Sequence, residues 1–350
     1  MDTDLTPLLE KVADGVHLGA DEARAVVGAF MSGTVPEARM AGFLIGLRAK
    51  GLQPAEVAGG VRALRDAMVP VPASDPDTLV DTAGTGGGRV TTFNISTAAA
   101  LVAAGAGVRV AKHGNRSFTS RSGSADVLEA LGVRIDLTPE RMAEVLDEVG
   151  IVFMFAPLLH PAMRHVGPVR KALGVTTLMN ILGPLTNPAG ARRQVVGVSD
   201  PRVMGLVARA LGELGHLRAM VVHGAPGMDE ISPSGHTRVC ELSADGIREY
   251  DLTPDELGVE SVSLDSLAGG EPEDNARVIL EVLGGGRGAA RTAVLLNAAA
   301  AIHVARAPGE GGASLADAVE RAAASIDEGR ALDVLERLRS ATLRDVSTSG

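Results

Sequence analysis

Three short stretches of this chain of 350 residues hold most of the groups able to act together on a charged substrate. The first is DTAGTGGGRVTTFNIST, residues 81–97, in which an apolar run ends near Asp81, a glycine-rich run spans 84–88, and Ser96 and Thr97 are expected to cap an alanine-rich helix. Strand, glycine loop and helix N-terminus together turn unpaired N–H groups and the positive end of a helix dipole toward one point, which is how backbone holds a phosphate. The alternative is a glycine turn with an ordinary cap. The stretch is not a P-loop, because no Gly-Lys-Ser/Thr follows, and Arg89 stands where a dinucleotide fingerprint needs its third glycine.

The second stretch is KHGNRSFTSRSGSAD, residues 112–126. It is small, basic and rich in hydroxyls within a chain of net charge −10. Placed after a parallel strand it faces the same edge as the glycine loop, so Lys112, with Arg116, Ser117, Thr119 and Ser124 as further donors, suits a ligand carrying several phosphate charges. A solvated basic loop is the competing reading, and His113 on its own says little. The third stretch is HGAPGMDEIS, residues 223–232, where Asp229 and Glu230 are adjacent. Two carboxylates side by side repel unless a cation neutralises them, and magnesium takes one or two carboxylates plus phosphate oxygens and water. The alternative is a solvated acidic turn. A fourth stretch, HPAMRHVGPVRKALG, spaces His160, Arg164, His165, Arg170 and Lys171 along helical turns. Arg170 forks onto the carboxylate of a second substrate or lies on a plain surface helix.

The elements that must position these residues follow from periodicity. Residues 5–68 predict helices, with Met40, Phe43, Leu44 and Leu47 on one stripe and Val57, Val61, Leu64 and Met68 on another, and with Pro36 and Pro54 opening two of them. VPVPASDPD, residues 69–77, reads as a linker. Beyond it, short apolar runs (TLVDT, VRVA, VRI, IVFMF, RQVVGV, AMVVH) alternate with helical patterns, which predicts a mostly parallel sheet covered by helices. Thr138 with Pro139 starts a helix that Gly150 stops, and Ser124 starts one that Gly132 stops. Residues 161–190 show no strand and are expected to return, in part, to the N-terminal helices. A closing helix pair ends the chain. The expected organisation is a small helical domain over 1–70, with part of 161–190, and a large α/β domain over 75–160 and 191–345.

Composition narrows the function. With 33 Lys and Arg against 43 Asp and Glu, 6 Phe, 1 Tyr and no Trp, the chain has neither the charge nor the stacking platforms of a general nucleic-acid binder. The single Cys240 cannot close an intramolecular disulfide. No apolar run reaches membrane-spanning length, and the acidic N-terminus lacks the order of a secretory signal. The expectation is a cytoplasmic protein with no membrane partner.

These stretches, taken in order with FLIGLRAKG, SGSADVLEALG, FAPLLHPAM, NILGPLTNPAG and LLNAAAA, resemble anthranilate phosphoribosyltransferases over nearly the whole chain. KHGNR, SGSAD and GPLTNP in that order carry most of the specificity. The resemblance implies an α/β fold of the nucleoside phosphorylase/phosphoribosyltransferase kind with a small helical N-terminal domain, homodimers joined through the small domains, and magnesium as cofactor. It implies transfer of phosphoribosyl from 5-phosphoribosyl 1-pyrophosphate to anthranilate, as in tryptophan biosynthesis. By the same resemblance Gly84, Gly87, Thr92, Asn94, Ser96, Thr97, Lys112 and Ser124 match donor-binding positions, and Ser96, Asp229 and Glu230 match metal positions. Asn115 and Arg170 match anthranilate positions, with His113, His160, Gly183 and Pro184 lining the same cleft; Lys112, Asn115 and Arg170 are the expected catalytic set. Gly88 departs from the family's GTGGD pattern, which has Asp there, and Met179 stands where Phe is common. The alternatives are a pyrimidine nucleoside phosphorylase-like enzyme and a non-catalytic, nucleic-acid-binding relative.

Overall fold

The structure, a computed structural model, describes residues 4–88, 90–117, 121–306 and 314–344. Arg89 and Thr119 lie outside the described residues. Four helices come first: α1 (Thr6–Ala13), α2 (Ala20–Ser32), α3 (Glu37–Lys50) and α4 (Pro54–Ala67). Pro36 immediately precedes α3 and Pro54 is the first residue of α4, where a fixed φ and a missing N–H do no harm. Met40, Phe43, Leu44, Leu47, Val57 and Val61 are buried as their spacing predicts, and the ring of Phe30 meets Phe43 edge-on at 6.0 Å. One buried carboxylate ties the bundle together: Glu56 accepts from the amides of Leu18 and Gln53 and pairs with Lys50 at 2.6 Å. Leaving such a carboxylate unpaired would cost several kcal/mol, which fixes how α3 and α4 meet.

The linker is pinned rather than loose, with Val69 N–H on the carbonyl of Leu159 and Val71 N–H on that of Pro188. It leads into one seven-stranded sheet: β1 (Leu79–Asp81), β2 (Arg109–Gly114), β3 (Ile151–Phe155), β4 (Arg193–Gly197), β5 (Arg218–Gly224), β6 (Thr237–Ser243) and β7 (Gly246–Leu252). Their order is β3-β2-β1-β4-β5-β6-β7, the first five parallel and the last two antiparallel. The strands wind outward from β1 to β3 and then restart on the other side of β1. This reversal between β1 and β4 is a topological switch point, beside which α/β sheets bind ligands at the strands' C-terminal ends.

Helices cover both faces. After β1 and β2 come α5 (Ile95–Gly105), α6 (Ser124–Ala130) and α7 (Pro139–Val149), and after β3 comes the single turn α8 (Ala156–Leu159). Next come α9 (Gly167–Leu173) and α10 (Leu178–Leu182), then α11 (Met204–Glu213), α12 (Pro272–Leu283), α13 (Ala289–Val304), α14 (Leu315–Asp327) and α15 (Arg330–Leu343). Helix α13 is apolar all round because it is buried all round, packed between α5 and α14. Residues 161–190 contain no strand. Val166, Val169, Leu178, Ile181 and Leu182 join the core of the N-terminal helices, and that core runs on without a break to α11 and to Val196 and Val221 of the sheet.

Two local expectations need correction. Residues 133–135 form no strand: Val133 and Ile135 are buried, but the Arg134 N–H donates to the hydroxyl of Thr342 in α15. The β6–β7 hairpin was not anticipated. Its Asp245-Gly246 turn, with Gly246 at φ +108°, is a hairpin signal, but polar residues break the alternation. Glu241 is buried there and accepts from His303, Tyr250 and Arg248.

At the opposite end of the sheet from the switch-point loops, His216 is buried near Arg65 and Arg192, and burial first, then Arg65, drives its pKa down to about 3. The folded chain therefore binds fewer protons at this site than the unfolded chain, so the stability it contributes is present above pH 6.5 and lost as pH falls toward 3. In His216→Gln that loss is absent. From pH 6.5 to 4.5, urea unfolding of the parent should lose about 1.4 kcal/mol per pH unit relative to the variant; a pH-independent difference would contradict this account.

Candidate active site

The loops that follow β1, β2, β4 and β5 leave the sheet on the same edge, because parallel strands all end there. The loop after β5 does not stay over its own strand. Asp229 crosses the end of β4 so closely that a Cβ on Gly197 would lie 1.6 Å from the Asp229 carbonyl, so only glycine permits the crossing. On the other side of that crossing stands the glycine loop. Thr85 N–H donates to the Gly197 carbonyl at 2.8 Å, and the Gly86 amide hydrogen-bonds the Asp229 carboxylate. Glu230 reaches further, to the Thr92 hydroxyl at 3.3 Å and the Ser96 amide at the start of α5. Lys112, near the end of β2, closes the group: its Nζ donates to the Thr82 carbonyl at 3.1 Å, to the Thr82 hydroxyl at 3.0 Å and to Ser96 Oγ at 3.5 Å. Three stretches, the last more than a hundred residues beyond the other two, thus meet around Ser96.

Their charges are incompletely matched. Burial, and then the Asp229 charge, push Glu230 up to about 8, while Thr92, the Ser96 amide and Lys112 pull the other way. Burial raises Asp229 as well. Lys112 is drawn down to about 8 by burial, against the pull of Asp81 and Glu230. Buried acids and a buried lysine that are all pushed toward neutrality form a site short of ligands: a cation for the acids and an anion for the lysine and amides. The donor set is all oxygen, with two adjacent carboxylates and one hydroxyl, and this suits magnesium, which leaves most of its positions to water and phosphate.

Lys112 also has a support that the sequence did not disclose. Asp81 is completely buried, raised to about 6 mainly by that burial, and it accepts from Asn187 Nδ2 at 2.7 Å and from the His113 N–H at 3.1 Å. The signal was present as an acid ending the apolar run TLVD.

The remaining expected residues divide. Gly84 and Gly87 are exposed on the loop, and Gly84 lies against Gly197 and Asp229. Ser96 and Thr97 do not cap α5; Asn94 is the cap residue, without a side-chain cap bond. Thr97, in the first turn of α5, is buried. Its Oγ1 is buried without a partner, and the residue borders a cavity of about 10 Å³ shared with Lys112, room for one water. Ser124 begins α6 and donates to the carbonyl of Asn115 at 3.2 Å. Arg116 faces elsewhere: Asp126 and Glu129 each hold it at 2.6 Å, and its guanidinium lies over Phe155, so it is not a phosphate donor.

The rings of His113 and His160 meet at a tilt of 57° with centroids 5.0 Å apart. Burial, chiefly, lowers them to about 3 and about 4, so both are neutral at pH 7. Each keeps a buried Nε2 with no hydrogen-bond partner among the described residues, and the backbone of Gly183 bonds His113. Pro184, next to Gly183, is buried, its carbonyl taken by Gln194. Arg170, on α9, is half-buried, its charge disfavoured by burial, and its guanidinium has no hydrogen bond or ion pair among the described residues.

This geometry has known counterparts. The model of the glycosyl transferase family α/β domain matches residues 76–332, and that of the family's helical bundle domain matches residues 6–68. An anthranilate phosphoribosyltransferase of Thermomicrobium roseum is 50% identical over 335 residues, 95% of each chain, and one of Aquifex aeolicus is 46% identical over 330 residues, covering 94% of this chain and 96% of its own. The chain belongs to the anthranilate phosphoribosyltransferase family. The crystal structure of the Thermus thermophilus enzyme superposes with a TM-score of 0.90 at 44% identity, covering 96% of this chain and 99% of that one. The Saccharomyces cerevisiae enzyme, in a complex with 5-phosphoribosyl 1-pyrophosphate and magnesium, superposes with a TM-score of 0.87 at 27% identity over 98% of both chains.

Within the family, Gly88 acquires a physical reading. A Cβ at this position would stand 2.8 Å from Asp229 Oδ1 and 3.4 Å from the Gly227 carbonyl. A third carboxylate there must push Asp229 aside and adds repulsion that only a cation relieves. Met179, where Phe is common in the family, is buried in the helical core. For Gly88→Asp we expect a donor KM that depends more steeply on magnesium, with a loss of about 3- to 10-fold at low magnesium that shrinks as the ion saturates. Superimposable curves of donor KM against magnesium for parent and variant would refute this.

Proposed function

We propose that this chain transfers the phosphoribosyl group of 5-phosphoribosyl 1-pyrophosphate to the amine of anthranilate, releasing pyrophosphate and forming N-(5-phosphoribosyl)anthranilate. The observation that carries the reading is the meeting of Lys112, Ser96 and the Asp229–Glu230 pair beside the glycine loop, with the neutral His113–His160 pair as a separate group. One half receives the phosphates and the other the aromatic acceptor.

In this reading Gly84, Gly87, Thr92, Asn94, Ser96, Thr97, Lys112 and Ser124 belong to the donor side. Asp229, Glu230 and Ser96 hold magnesium, which neutralises charge on the departing pyrophosphate when bound. Lys112 and the glycine-loop amides donate to the same oxygens, so negative charge that grows as the C1–O bond breaks is met by groups already in place. The neutral amine forms the new C1–N bond and gives its proton to solvent. Arg170 grips the anthranilate carboxylate, and Asn115 sits by the amine, so that orientation supplies much of the rate. His113, His160, Gly183 and Pro184 line the acceptor cleft, where neutral imidazoles leave the carboxylate to the arginine. No side chain need act as a covalent nucleophile.

The same reading takes residues 1–70 with part of 161–190 as a small helical domain and residues 75–160 and 191–345 as a large α/β domain, with two copies joined through the small domains. Among the described residues no helix is long and apolar enough to cross a membrane; we assign the chain to the cytoplasm.

Mixing the protein with anthranilate, the donor and magnesium should extinguish anthranilate fluorescence, and undiminished signal would reject the function. In Arg170→Ala, loss of a charge-assisted grip should raise the anthranilate KM by about 10- to 100-fold and leave the donor KM within about 3-fold. Steady-state kinetics with each substrate varied in turn decides this; equal changes in both constants would remove Arg170 from the acceptor side.

A further inference from the structure

Asn94 sits where the glycine loop becomes α5, and its side chain is held on several sides. Its Oδ1 accepts from Ser122 Oγ at 3.1 Å and from Asn275 Nδ2 at 2.9 Å, and its Nδ2 donates to the Ser122 carbonyl at 3.1 Å. Asn275 comes from the beginning of α12, is 2% exposed, and has its own orientation set by the Gly270 N–H, which donates to its Oδ1 at 2.8 Å. With that oxygen taken, the amino group of Asn275 is what meets Asn94, so Asn94 must answer with its oxygen. An amide has two N–H bonds, and one on Asn94 is left over. The chain leading to Asn275 is laid along the same loop: Phe93 N–H donates to the Leu267 carbonyl at 3.0 Å, Gly269 N–H donates to the Thr91 carbonyl at 3.3 Å, and Thr92 bridges Ala268.

We propose that Asn275 is a positioning residue for the phosphoribosyl donor: it fixes the Asn94 amide with its oxygen turned away and its spare N–H available to a phosphate oxygen, and through Asn94 it ties the glycine loop to Ser122. The proposal rests on the donor-site reading above. Its physical content is a sign. An amide turned by half a turn presents oxygen where it presented N–H, which repels an anion instead of binding it. Asn275 acts at one remove, since Asn94 is the group that faces the donor.

Two substitutions separate positioning from plain support. Asn275→Asp keeps the size and the bond from Gly270 but offers Asn94 only acceptors, which draws the Asn94 amino group inward and turns its oxygen toward the phosphates. Asn275→Ala removes both bonds yet leaves Ser122 to hold Asn94 the right way round. Full-length parent and variants are compared with saturating magnesium, measuring donor KM, anthranilate KM, kcat and the thermal midpoint. Donor KM should rise about 10- to 30-fold in Asn275→Asp and only about 2- to 5-fold in Asn275→Ala, with anthranilate KM within about 2-fold in both. The thermal midpoint should fall further in Asn275→Ala, which leaves the Gly270 N–H without its partner. A residue that merely supports the fold gives the opposite ranking, with Asn275→Ala worse in every constant. That ranking, or an unchanged donor KM in Asn275→Asp beside an active parent, overturns the proposal. A parent inert toward the two substrates overturns the functional reading instead, and the proposal with it.

Discussion

The close contact between the Asp229 backbone and Gly197 is the constraint on which the site depends. In a parallel sheet the strand order decides which loops are neighbours, and β5 is separated from β1 by β4. The acids after β5 reach the glycine loop and α5 only by passing over the end of β4, where a single methyl group would block them. Because the crossing is made by backbone, it is rigid. It delivers Glu230 to the N-terminal turn of α5, where the amide of Ser96 and the hydroxyl of Thr92 receive it. A carboxylate is stabilised in that position by the helix dipole, yet not enough to offset its burial and the nearby Asp229, and the site is left with an appetite for a cation.

Reading strand ends and glycine runs goes far here because backbone chemistry drives them. The glycine loop, Lys112 and the Asp229–Glu230 pair are legible since their types are unusual for the places they occupy and the alternation of strands and helices puts those places on one edge. Parallel strands and the helical return of 161–190 follow from the same periodicities. What could not be read is set by long-range partners. Nothing near Asp81 in sequence announces Asn187, 106 residues on, and nothing near Asn94 announces Asn275, 181 residues on. Arg116 shows the converse. Its charge suits a phosphate, but α6 brings Asp126 and Glu129 within reach, and a nearby carboxylate pair outbids a distant ligand.

The two halves of the site use opposite electrostatic strategies, and the sheet explains how they coexist. Lys112 and His113 are consecutive residues of β2, so their side chains point to opposite faces. Lys112 turns to Thr82 and Ser96 and joins the charged group; His113 turns to His160 and the backbone of Gly183 and joins the neutral one. Asp81 stands beneath both, one oxygen on the His113 N–H and the other on Asn187, which also donates to the Ala111 carbonyl. Asn187 in turn closes its own turn by accepting from the amides of Ala189 and Ala191, at the end of the segment that carries Gly183 and Pro184. A strand's two-residue period therefore divides the charged group from the neutral one, and one buried acid–amide pair holds the division in register. A shift of β2 by one residue would move Lys112 to the face of the neutral histidine pair and His113 to the face of the buried acids, so the register of this strand decides which electrostatic group each side chain joins.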